Sequence, residues 1–104
     1  MAKCRGIRGR NKSFIVVADR GHYYLAREAF AASEEVSLAL LDLGAPMEVA
    51  QRAFELSPTQ YWVGEITTDG RVIQGFPDPD MPLLTFSLWW RNERHCVFSQ
   101  MKWE

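Results

Sequence analysis

Six apolar residues recur at helical spacing in the stretch GHYYLAREAFAASEEVSLALLDLG. Leu25, Ala29, Ala32, Val36, Ala39 and Leu43 follow one another at steps of four, three, four, three and four. That spacing places all six on one side of a helix. The stripe fits one long helix or two, because Ser33 followed by Glu34 and Glu35 is itself a helix start, with acids in the first turn. Gly44 stands where a helix C′ residue is wanted and Pro46 where a helix N1 is wanted. A further helix is therefore expected over residues 46–55, with Met47, Ala50 and Phe54 as its apolar face and Val49 and Ala53 flanking.

Strand signals surround these helices. SFIVVAD, residues 13–19, is rich in β-branched and aromatic side chains and predicts a short strand. After Leu56 the signals conflict. Ser57 and Pro58 make a good N-cap and N1 pair for a third helix. Tyr61, Trp62, Val63, Ile66, Thr67 and Thr68 prefer strands, and Asp69-Gly70 is a strong hairpin signal, so propensity favours strand over helix from about Tyr61. PDPDMP reads as an extended loop, since proline pushes its predecessor out of the helical region. In the segment that follows, Leu84, Phe86, Leu88 and Trp90 alternate as a strand would, while Phe86, Trp90, Val97 and Met101 also fit a helix. Residues 91–94 fit a hairpin turn or an exposed helical patch, and the hairpin is the reading preferred.

The 104 residues are enough for one domain with a real core, and thirteen of them are aromatic. The net charge of −1 conceals an asymmetry. Lys3, Arg5, Arg8, Arg10 and Lys12 fall within the first twelve residues, which contain no acid, while the rest of the chain sums to minus six. Residues 1–12 read as a mobile basic arm on a single globular domain, residues 13–104. Five neutralised phosphates on DNA would give a salt slope of roughly −4 to −5. No apolar run reaches the length of a membrane span, and the first one is too short for a signal peptide, so the expected compartment is the cytoplasm. Cys4 and Cys96 are then expected to be thiols.

The middle of the chain also resembles a family. Leu43-Gly44-Ala45, Glu48, Phe54 and Leu56-Ser57, with the GFPDPDMPLL loop, Trp89, and VVAD and Glu34-Glu35 upstream, look like the helix-turn-helix region of the C subunit of the flagellar master regulator and of related regulators on integrative elements. Together with the strand signals at either end, this gives the expected fold: an α+β chain with a helical, helix-turn-helix-like core, a short N-terminal strand and C-terminal β-hairpin elements. The resemblance also implies DNA binding and transcriptional control, with a partner subunit or a homodimer. Leu56-Ser57 would lie in the turn, and Thr59, Gln60, Trp62 and Val63 would begin a recognition helix within residues 57–66, where glutamine can pair with adenine.

Other residues invite competing readings. Adjacent Trp89 and Trp90 would face opposite sides of a strand, so one of them, or Trp103, could mark a protein interface. His22 beside Asp19, Arg20, Tyr23 and Tyr24 has the residue types for acid–base chemistry but reads as structural. His22, His95, Cys4 and Cys96 lack the spacing of a zinc module, and no metal or cofactor is expected. The acids Glu28, Glu34, Glu35, Asp42, Glu48 and Glu55 could form a docking surface for a basic partner. Beside the DNA-binding regulator stands a second expectation. The chain could be a non-enzymatic inhibitor or adaptor of the phage or mobile-element kind (anti-CRISPR proteins are an example), binding a protein partner.

Overall fold

A computed structural model describes residues 4–9, 13–27, 31–56, 62–73 and 97–100, with the backbone alone over 62–64 and 97–100. Eight elements lie among them: β1 (Cys4–Arg8), β2 (Phe14–Asp19), β3 (His22–Arg27), α1 (Ser33–Asp42), α2 (Met47–Glu55), β4 (Trp62–Ile66), β5 (Val72–Ile73) and β6 (Val97–Gln100). The strands form one sheet in the order β5-β4-β3-β2-β1-β6. β1 to β5 pair antiparallel, and β6 runs parallel to β1.

The expected helical, helix-turn-helix-like core is overturned by this sheet. β2 is the predicted N-terminal strand, one residue shorter. It returns at once as β3 through Arg20 and Gly21, both left-handed at φ 52° and 82°. Two positive-φ residues match the right-handed twist of a tight hairpin. The helical stripe therefore breaks: Leu25 belongs to β3, and the helix begins at Ser33. The residues around Leu25 include Tyr23 and Tyr24, which suit a strand, and cross-strand pairing outweighed the helical spacing.

Locally encoded ends fared better. Gly44 has φ 85°, its N–H bonds the Leu41 carbonyl at 2.9 Å, and the Ala45 N–H bonds the Leu40 carbonyl at 3.0 Å. This is a Schellman cap, and it terminates α1 where glycine was expected to do so. Pro46 caps α2 rather than occupying its first turn.

Strand pairing fixes which side chains meet. Val16 lies opposite Ile7 and Leu25, and Leu25 opposite Gly64. Alternation then puts Ile7, Phe14, Val16, Tyr23, Leu25 and Ile66 on one face. They form a single core with Val36, Ala39, Leu40 and Leu43 of the α1 segment and Val49 and Ala53 of α2. Cys4, Ile15, Val17 and Ala26, on the opposite face, are buried as well. Among the described residues, no helix is long and apolar enough to cross a membrane.

Candidate functional site

The helix layer turns its small residues inward. α2 buries Val49, Ala50 and Ala53, while Met47 and Phe54 are 62% and 54% exposed. The expected apolar face of α2 is thus rotated, with Met47 and Phe54 outside it. The apolar residues of α2 cover an arc wider than the roughly 100° stripe that a helix needs to bury. Small side chains on one half of that arc allow close approach to α1 and the sheet. The other half faces solvent. That width was readable in the sequence and signals that part of the arc must face solvent, without saying which part.

On α1, Leu38 and Leu41 are exposed at 40% and 37%. Glu34, Asp42, Glu48 and Glu55 are exposed around these apolar side chains, and Glu35 is half-buried. Across residues 33–56 there are five acids and one base. That base, Arg52, lies 3.3 Å from Glu55 at i,i+3 spacing. The outer helix surface therefore combines large apolar groups with net negative charge.

The basic residues are arranged differently from a free arm. Cys4–Arg8 is β1, an interior strand between β2 and β6. A run of charges hid it, because Arg5 is exposed and Arg8 half-buried while Cys4, Gly6 and Ile7 fill the sheet. Lys3, Arg10 and Lys12 lie outside the described residues, as do Ser57, Thr59, Gln60, Trp89, Trp90, Trp103, His95 and Cys96. So does the expected turn at residues 91–94. The recognition-helix expectation extends into Trp62–Ile66, which is strand β4 and not helix. Asp69-Gly70 does form the hairpin between β4 and β5, with Gly70 at φ 87° and the Thr67 N–H bonded to the Arg71 carbonyl at 2.8 Å.

His22 has a partner that sequence reasoning missed. Its Nδ1 lies 2.7 Å from Glu65 Oε2, and its ring centroid lies 6.4 Å from that of Tyr24. Register explains the meeting: Asp19 pairs with His22 and Tyr24 with Glu65, which places all four side chains at one end of one sheet face. Glu65 is 43 positions away in sequence, so no local motif announces it. The His22 side chain is 58% exposed, so the pair sits on an open surface.

Arg27 is the opposite case. It has no exposed surface and closes β3 beside Ala31 and Ser33. Burial pushes its guanidinium below its ordinary basicity. Among the described residues, no group of three or more His, Cys, Asp or Glu gathers as a metal site would require. Comparison with protein-family models, with characterised proteins and with solved structures found no match to this chain.

Proposed function

We propose that this chain is a protein-binding module, an inhibitor or adaptor without catalytic activity, working in the cytoplasm. Its docking surface is the outer side of α1 and α2, and its partner carries a basic patch with an apolar centre. The observation that carries this reading is the exposure of Met47 and Phe54 beside Glu48 and Glu55. Methionine and aromatic side chains are enriched at interface cores. Contiguous exposed apolar surface rimmed by charge marks interaction sites. An excess of acids steers a basic partner and repels a second copy of the same face.

The DNA-binding regulator is the weaker reading. It called for a recognition helix after Ser57 and a free cationic arm, whereas Trp62–Ile66 is a strand and Cys4–Arg8 lies within a sheet.

The test uses the full chain and a Met47→Ser/Phe54→Ser variant as baits against cell extract, with and without nuclease. A partner retained by the parent chain is then purified and its association rate measured across salt. The expected result is loss of that partner by the double variant, and an association rate that falls as salt rises. Equal retention by both baits, or retention abolished by nuclease, would count against the proposal.

A further inference from the structure

α1 is apolar on two sides. Val36, Ala39 and Leu40 are fully buried in the core shared with the sheet and α2. Leu38 and Leu41 are exposed. At about 100° per residue they lie roughly opposite the centre of that buried set. A surface helix needs one apolar stripe to hold it on its own core, so a second stripe on the solvent side goes with a second packing partner.

The exposed apolar residues are matched to acids. Leu41-Asp42, Met47-Glu48 and Phe54-Glu55 are each an exposed apolar residue followed by an exposed acid. Leu38 and Leu41 stand three positions apart, and Met47 and Phe54 seven apart. Seven residues are two helical turns, about 10 Å of rise, so each pair runs along one line of its helix. A strand presents side chains every second residue, whereas a helix repeats this three-, four- and seven-residue spacing and seats its ridges in the grooves it leaves. α1 and α2 pack against each other and are joined by residues 43–46 alone, so their outer sides border one another.

We infer that the element of the partner that docks here is a basic amphipathic helix. Its apolar stripe covers Leu38 and Leu41 and reaches Met47 and Phe54, and its lysines or arginines face Asp42, Glu48 and Glu55. This is the helix-in-groove mode of recognition, and it rests on the docking face proposed above. Charge complementarity selects the occupant: Arg52, the only base over residues 33–56, is held by Glu55, and a second copy of this chain would bring acid against acid.

The experiment is a fluorescence-anisotropy titration of the full chain into a labelled three-heptad peptide, with leucine at positions a and d, lysine at e and g, and glutamine elsewhere. Binding should saturate at one peptide per chain and weaken as salt rises. The same peptide with two interior glutamines replaced by proline keeps its leucines and charges but loses the helix, and should bind at least about tenfold more weakly. Leu38→Ser/Leu41→Ser should lose affinity to a similar degree. So should Asp42→Lys/Glu55→Lys, which keeps the fold because both cations fall in the last turn of a helix, where the dipole favours them. No saturable binding by the parent chain overturns the inference. Undiminished binding by Leu38→Ser/Leu41→Ser does the same or, where that variant does not fold, by Asp42→Lys/Glu55→Lys. Equal affinity for the proline peptide overturns the helical partner and leaves the docking face standing, since that face is judged by retention from extract. A parent chain that dimerises, and becomes monomeric in Leu38→Ser/Leu41→Ser, would give the face to a second copy and overturn the inference.

Discussion

Arg5 and Arg8 lie on opposite faces of the sheet. Arg5 pairs in register with Ala18 and Arg8 with Ile15, and an odd number of positions along a strand reverses the side-chain direction. The two charges therefore cannot track one phosphate backbone side by side. β1 is also indispensable to the fold, since it bonds to β2 on one side and β6 on the other and buries Cys4 and Ile7. Deleting residues 1–12 should abolish the cooperative thermal transition, where removal of a free arm would leave it intact. A truncated chain that melts like the parent would show that β1 is dispensable.

Gly9 fits beneath the Phe14 ring only because it has no side chain. A Cβ there would stand 2.6 Å from Phe14 Cδ2 and Cε2, and the Gly9 N–H bonds the Phe14 carbonyl at 2.8 Å. Phe14 is fully buried and cannot swing away. Gly9→Ala should cost about 1–3 kcal/mol through overpacking. In a domain near this size, 1 kcal/mol is about 4–8 °C of melting temperature. Calorimetry checks this, and adding Phe14→Leu should recover part of the loss. A double variant whose losses simply add would mean the two residues do not compete for space.

The helix layer separates stability from recognition. Leu40 is fully buried in the core, and Leu40→Ala should cost about 2–5 kcal/mol in chemical unfolding. Phe54 is largely in solvent, and Phe54→Ser should change stability by about 0.5 kcal/mol or less. A loss above 2 kcal/mol at Phe54 would place that ring in the core and remove the argument for a docking face.

Features set by a few adjacent residues were legible in the sequence. FIVVAD formed a strand, Gly44 capped a helix, residues after Pro46 formed α2, and Asp69-Gly70 turned a hairpin. What pairing across the sheet decides was not. Leu25 matched a helical period yet joined β3, because the Arg20-Gly21 turn folds His22–Arg27 back onto β2. Arg20 adopts a left-handed conformation that non-glycine residues seldom take, so the turn carried little local signal. The His22–Glu65 contact likewise follows from register. The exposed face of α2 was half legible, since the sequence contains the wide apolar arc but does not say which half packs.

The β4–β5 turn holds a carboxylate whose titration tests the local geometry. The Thr67 hydroxyl donates to the Asp69 carboxylate, and Arg71 Nε lies 3.2 Å from its other oxygen. Foremost the Thr67 hydrogen bond, and then the charge of Arg71, hold the Asp69 carboxyl below its ordinary value. A depressed folded-state value means that this contribution is present above the unfolded value and fades as pH falls through the folded one. The pH window therefore lies below the usual carboxylate range, and the turn should be insensitive to pH near neutrality. Thr67→Val removes the donor and should raise the Asp69 midpoint, read from its carboxyl carbon by NMR titration. Arg71→Gln should raise it by less, because exposed charges are screened by solvent. Should Arg71→Gln produce the larger shift, the order of the two causes would be reversed.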